Sequence, residues 1–151
     1  NDFPVKVEVD APQQHSDALG TWRKIVYTYE DGCQIILQGE GYEDPNAAYI
    51  EGPNGKVYNG FQCTIPNIMD KLNELPDPEP QNTDFIKCIK NREIFALNEM
   101  NGHRSANIVN MGLCALRLNR TLHFDPVAQQ FINDDAANRL IDQPMRSPWK
   151  I

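Results

Sequence analysis

Trp22-Arg23-Lys24-Ile25-Val26-Tyr27-Thr28-Tyr29-Glu30-Asp31-Gly32-Cys33-Gln34-Ile35-Ile36-Leu37-Gln38 reads as two strands joined by a tight turn. β-branched and aromatic residues fill both arms, and Asp-Gly between them supplies the backbone that a two-residue hairpin loop needs. The spacing predicts strands over Trp22 to Tyr29 and Cys33 to Gln38. Upstream, Phe3, Val5, Val7 and Val9 alternate with Lys6, Glu8 and Asp10, the period of two that marks a half-buried strand. A polar loop through Ser16 and Asp17 connects it to the hairpin. Downstream, Ala48 to Glu51 and Lys56 to Asn59 flank Pro53-Asn54-Gly55, a second hairpin signal. About five strands therefore occupy the first part of the chain.

The pattern changes after Phe61. Ile68 to Leu75 suits a short helix, and Pro76, Pro78 and Pro80 enforce an extended linker. Thr83 can cap a helix from Asp84 to about Arg92 that presents Phe85, Ile86 and Ile89 inward. The clearest helix runs from about His103 to Leu118, with Ile108, Met111, Ala115 and Leu118 at helical spacing, and Asn119 suits a left-handed helix end. Asp134 or Asp135 opens a last helix through Leu140, before Pro144 and Pro148 end regular structure. There is no internal repeat. Strands followed by helices imply an α+β fold: one domain over residues 1–151, an open, mainly antiparallel sheet with helices packed on one face.

Composition narrows the function. The chain of 151 residues carries a net charge of -7, and its 14 Lys and Arg are scattered, which argues against nucleic acid as partner. No apolar run approaches the roughly 20 residues of a membrane helix, and no basic-then-apolar leader opens the sequence. A start at Asn1 that leads at once into strand-like sequence suits a chain cut from a longer one, although simple processing would look the same. Cys33, Cys63, Cys88 and Cys114 are far apart and form no Cys-x-x-Cys pair, so they read as buried free thiols rather than zinc ligands or a redox pair; spacing does not decide on disulfides.

Sites of chemistry are scarce. Gly39-Glu40-Gly41 follows a strand as a dinucleotide fingerprint would, but Asp44 replaces the third glycine and Pro45 blocks the helix that should receive the pyrophosphate. No phosphate-binding loop, nucleophile elbow or His-Glu-x-x-His occurs. His15, His103 and His123 have no metal-ligand type at paired spacing; His15 reads as solvated and His123 as structural. Glu40, Glu43 and Asp44 read as a solvated acidic loop before paired catalytic carboxylates, and the Asn119-Arg120-Thr121 sequon already has a capping explanation at Asn119. His103 and Arg104 follow Gly102 at the expected start of the longest helix, where free N–H groups favour an anion or substrate oxygen; they are the candidate substrate-binding pair. Their bland alternative is to tie the helix start to the sheet or to the tail through Trp149.

One succession of motifs goes further. Asp84-Phe85-Ile86-Lys87-Cys88-Ile89-Lys90-Asn91-Arg92 is followed by Gly102-His103-Arg104-Ser105-Ala106 and Ala115-Leu116-Arg117-Leu118-Asn119-Arg120. Phe124-Asp125-Pro126, Asp135-Ala136-Ala137-Asn138-Arg139-Leu140-Ile141 and Met145-Arg146-Ser147-Pro148-Trp149 complete it. This order resembles the C-terminal domain of bacterial-type Gfo/Idh/MocA oxidoreductases, and Tyr27 to Gly32 and Glu51 to Gly55 are similar more loosely. The resemblance implies a parent enzyme whose N-terminal Rossmann domain binds NAD(P), with a Lys of a Glu-Lys-Pro motif beside the substrate and a later His assisting proton transfer. None of these three elements can be matched here, so catalytic and cofactor-binding residues are expected outside this chain. The resemblance also implies sugars, polyols or related compounds as substrates and oligomer contacts through the open sheet face. Trp22, Lys24, Val26 and Thr28 alternate with Arg23, Ile25, Tyr27 and Tyr29, so both faces are expected to carry sizeable apolar groups. Two readings follow: the substrate-side and oligomerisation domain of an NAD(P)-dependent oxidoreductase, inactive alone, or a free-standing module that holds a carbohydrate or protein partner with aromatics such as Trp22, Tyr27, Tyr29, Tyr42, Tyr49 and Tyr58. A bacterial cytoplasm or periplasm depends on what precedes Asn1.

Overall fold

A computed structural model describes residues 3–15, 17–41, 44–77, 80–141 and 148. Among the described residues seven strands and four α-helices follow one another as β1 (Lys6–Asp10), β2 (Lys24–Thr28), β3 (Gln34–Gln38), β4 (Ile50–Gly52), β5 (Gly55–Val57), α1 (Ile68–Asn73), α2 (Phe85–Asn91), α3 (Glu99–Leu118), β6 (Leu122–Asp125), β7 (Gln130–Phe131) and α4 (Asp135–Ile141). The chain divides into two compact units, one of Asn1–Glu43 with Leu97–Ile151, the other of Asp44–Ala96.

In the first unit the order β3-β2-β1-β6-β7 makes a five-stranded antiparallel sheet. Period two sorts its faces. Val7 lies opposite Tyr27 and Leu122, Tyr27 opposite Ile35, and Phe124 opposite Phe131, so these side chains share one face. On that face Val7, Ile25, Tyr27, Leu122, Phe124 and Phe131 are buried against Met111, Cys114, Ala115 and Leu116 of α3 and Ala137 of α4. The expected α+β architecture, with helices on one face of an open antiparallel sheet, is what the chain adopts.

Burial here contributes about 1.5 to 3 kcal/mol for each fully covered Val, Leu or Phe, against about 0 to 1 kcal/mol for an exposed ion pair. Helix and sheet approach closely at Gly112, where an added Cβ would stand 2.2 Å from the Tyr27 hydroxyl. Asn98 starts α3 by accepting from the Asn101 N–H, and Asn119 ends it in the left-handed conformation expected, at φ 49°. The helix therefore begins four residues before His103. Methionine and Asn between Glu99 and Gly102 conceal that first turn, because they carry no apolar periodicity; the Asn98 cap decides it.

Two strands and one sheet boundary differ from expectation. β6 and β7 were hidden among helices, yet Leu122 and Phe124 are buried and His123 exposed, a period of two over four residues. β6 takes the second edge of β1, and β4 and β5 pair with each other outside this sheet, where Val57 also bridges Cys63. The outer face also differs. It carries Lys6, Glu8, Lys24, Thr28, Gln34, Gln38 and His123 around Val26 and Ile36, while Trp22 and Tyr29 lie beyond the ends of β2 and Trp22 packs against the core. That face is mostly polar, not apolar as expected.

In the second unit α2 is capped by Asp84, whose side chain accepts from the Lys87 N–H, rather than by Thr83. Phe85, Ile86 and Ile89 are exposed and Cys88 is buried, the reverse of the inward face expected. The cause is geometric: Cys88 faces the turn formed by Asn82 and Ile94, whose carbonyls lie within 4.0 Å of its Sγ. All four cysteines are free thiols; Cys88 and Cys114 are buried as expected, but Cys63 is only half-buried and Cys33, which follows the turn into the sheet's edge strand, is exposed. Burial raises the Cys114 thiol above its ordinary pKa and keeps it protonated. The expectations that involve Ser16, Tyr42, Glu43, Pro78, Pro144 and Trp149 lie outside the described residues. No helix is long and apolar enough to cross a membrane among the described residues.

Candidate functional site

His103 and Arg104 stand in the second turn of α3, not at its start. The Gly102 N–H already donates to the Asn98 carbonyl at 2.9 Å, so the free N–H groups at the helix start belong to residues before them. An anion at the helix N-terminus is therefore not the role that their position supports. Their side chains offer something else.

Residues four apart share a helix face, which sets Asn107 beside His103. The Asn107 side-chain amide nitrogen lies 3.2 Å from His103 Nε2 and donates at 3.2 Å to Gln129 Oε1. An amide nitrogen can only donate, so this contact is a hydrogen bond in the tautomer whose Nε2 accepts and whose proton sits on Nδ1. Phe3 meets the ring edge-on, with centroids 5.6 Å apart, and fixes its plane. Gln129 comes from the turn between β6 and β7. There Asp125 Oδ1 accepts from the Val127 and Ala128 N–H groups, and Gln129 takes a left-handed backbone at φ 54° while its amide donates to the Pro126 carbonyl. A non-glycine residue in that conformation costs roughly 1 to 2 kcal/mol, which the three side-chain bonds of the turn offset.

Arg104 is half-buried, and its Nη1 donates to Asn101 Oδ1 at 3.4 Å. His15 accepts from the Asp17 N–H in an exposed loop, and His123 is exposed on the outer sheet face. The three histidines are thus not brought together. Among the described residues no group of three His, Cys, Asp or Glu has the spacing of a metal site.

The Gly39 and Gly41 stretch lacks the backbone of a dinucleotide fingerprint. Among the described residues no helix follows directly on Gly39 and Gly41, and Gly41 has a left-handed backbone at φ 76°. Gly39 has a packing reason to lack a side chain, since an added Cβ would lie 2.1 Å from the Trp22 carbonyl oxygen and against its ring. Two shallow hollows lie in the second unit, one of about 300 Å³ bounded by Phe85, Cys88, Arg92 and Phe95, and His103 and Arg104 line neither of these two.

Comparison with known proteins settles the family. Residues 1–151 match the oxidoreductase family, C-terminal alpha/beta domain, of the Gfo/Idh/MocA group. The chain belongs to that family. No curated protein and no solved structure matches it. Enzymes of this family are oxidoreductases that use NAD(P) through an N-terminal domain, and the 151 residues here are of the C-terminal domain. Asn107 and Gln129 are the residues that sequence reading missed. Asn107 was legible as the i+4 neighbour of His103, whereas Gln129 reaches it only through the path of β6 and β7.

Proposed function

We propose that this Gfo/Idh/MocA domain forms the substrate-side wall of an NAD(P)-dependent oxidoreductase acting on a sugar, polyol or related compound, and is inactive alone. The observation that carries this reading is the ordered polar row formed by His103 and Asn107 of α3 with Gln129 of the β6–β7 turn, in a C-terminal domain of this family. Imidazole Nδ1–H and carboxamides offer both donors and acceptors, the combination that hydroxyl groups require. Arg104 adds a fixed cation for a carboxylate or phosphate substituent. His103 and Arg104 are thus the substrate-binding pair, and Asn107 and Gln129 hold the imidazole. Hydride and proton transfer fall to the cofactor and to residues outside these 151. The outer sheet face, with Val26 and Ile36 amid charged residues, is the surface for contacts in a homo-oligomer.

The reading as a free-standing carbohydrate or protein module has less support. Of its proposed stacking residues Tyr27 is buried, Trp22, Tyr29 and Tyr58 are half-buried, and Tyr49 is open. Among the described members of that set a single open ring does not make a platform. The test is His103→Ala and Arg104→Ala in the full-length parent, with kinetics and melting temperature measured together. We expect kcat/KM to fall at least about tenfold, near 1.4 kcal/mol, at unchanged stability. A lower melting temperature with kcat/KM intact would make both residues structural.

A further inference from the structure

The sheet stops at β3, and among the described residues no strand pairs with its outer edge. The Tyr29 N–H donates to the Cys33 carbonyl at 2.8 Å and the Gly39 N–H to the Arg23 carbonyl at 2.7 Å. By alternation Cys33, Ile35, Leu37 and Gly39 turn their backbone groups toward β2, and Gln34, Ile36 and Gln38 turn theirs outward. Such an edge is a template for another strand, and proteins commonly blunt it with charge, proline or a bulge. Here Cys33 to Gly39 contains no charge and no proline, and the register with β2 runs without a bulge. Its apolar side chains are open: Ile35 is 37%, Ile36 47% and Leu37 39% exposed.

The strand is also nearly its own mirror. Gln34-Ile35-Ile36-Leu37-Gln38 reads the same chemistry in both directions about Ile36. We propose that β3 pairs antiparallel with β3 of a second copy of this chain, about a two-fold axis at Ile36, joining two five-stranded sheets into one. A two-fold contact must be self-complementary, and this one is on every count. Ile36 has outward backbone groups, so it exchanges two hydrogen bonds with the partner's Ile36; Gln34 and Gln38 do the same with the partner's Gln38 and Gln34. On the helix-covered face Ile35 meets the partner's Leu37, and on the other face the amides of Gln34 and Gln38 meet each other. A slip by one residue would lose the hydrogen-bonding parity, because Ile36 would face an inward-bonded residue.

Charge supports the same register. In a chain of net charge -7, Glu40 falls opposite the partner's Gly32 and Asp31 opposite the partner's Gly41, so no like charges stand directly across from Asp31 to Gly41. The axis perpendicular to the sheet keeps α3 of both copies on one side. This contact concerns the edge, goes beyond the sheet-face contact proposed above and does not depend on it.

The test uses the full chain carrying Cys33→Ser, which removes the exposed native thiol. One sample carries Ile35→Cys and another Leu37→Cys. In the proposed register these positions form a non-hydrogen-bonded pair with Cα atoms about 4.5 Å apart, within disulfide range. We expect a covalent dimer on mild oxidation of the mixture and none from either sample alone. A sheet-face dimer would not give this pattern. In parallel, Ile36→Lys places two like charges at the axis, and sedimentation equilibrium should show the dimer dissociation constant rise at least about tenfold, with Ile36→Val unchanged. A monomeric parent, no mixed disulfide, equal cross-linking in the single samples, or a dimer indifferent to Ile36→Lys would each overturn the proposal.

Discussion

Two glycines on one helix show how a single missing methyl is decided by its neighbours. Gly102 has nothing within 4 Å of an added Cβ, whereas at Gly112 that Cβ would stand 2.2 Å from the Tyr27 hydroxyl and 3.3 Å from its ring carbon. Glycine inside a helix costs about 1 kcal/mol relative to alanine, so Gly102→Ala should raise stability by up to about that amount. At Gly112 the same gain is outweighed, because Tyr27 is 2% exposed and its ring has nowhere to go. Overpacking of this kind costs roughly 1 to 3 kcal/mol. Gly112→Ala should therefore lower the melting temperature, and less so in a Tyr27→Phe background that lacks the hydroxyl. Equal cost in both backgrounds, read by chemical denaturation in a double-mutant cycle, would show that the hydroxyl is not what Gly112 accommodates. Burial without a charged partner also raises the Tyr27 phenol above its ordinary pKa, so it stays neutral throughout the working range.

At the scale of elements, the joint between the end of α3 and the start of α4 rests on Asp134. Its carboxylate pairs with both terminal nitrogens of Arg120, one at 2.8 Å, and Oδ1 accepts from the Ala137 N–H at the start of α4. The Arg120 side chain first, and the Ala137 N–H second, lower the Asp134 pKa below its ordinary value. A carboxyl whose folded pKa is depressed contributes stability that is present above its unfolded value, about 3.9, and is lost as pH falls through the lower folded value. Asp134→Asn keeps a capping oxygen but removes the charge. Its melting temperature should lie below the parent's at neutral pH and converge with it below about pH 4; a constant gap down to pH 2 would rule out the ionised pair as the source. Asp134→Ala loses the cap as well and should cost about 1 kcal/mol more.

For the whole molecule, the family assignment and the geometry at Gly39 lead to a prediction about dinucleotides. The 151-residue chain should show no change in melting temperature with NAD or NADP. A site occupied at a hundredfold excess over Kd would add about 2.7 kcal/mol, a shift of several degrees in a domain this size and easily seen by calorimetry. A shift at micromolar dinucleotide would mean that a phosphate site exists where the backbone offers no helix start. The full-length parent is expected to shift under the same conditions.

Much of this was legible in the residues, and the boundary falls where contacts cease to be local. Asp31-Gly32 between two β-branched runs fixes the hairpin of β2 and β3, Asn119 fixes the end of α3, and Asp134 the start of α4, because turn and cap chemistry acts over a few residues. The alternation of Val7 and Val9, and the spacing of Met111 and Ala115, likewise determine which sides of β1 and α3 are covered. Nothing local says that Leu122 to Asp125 joins β1, that Cys88 rather than Phe85 turns inward, or that Gln129 reaches Asn107. Those outcomes depend on chain segments distant in sequence competing for the same edge or face, and loop closure and burial settle that competition only in the folded state. The sequence by itself determined the class of fold and the family; the tertiary structure alone decided which strand sits beside β1, and with it which polar side chains stand next to His103.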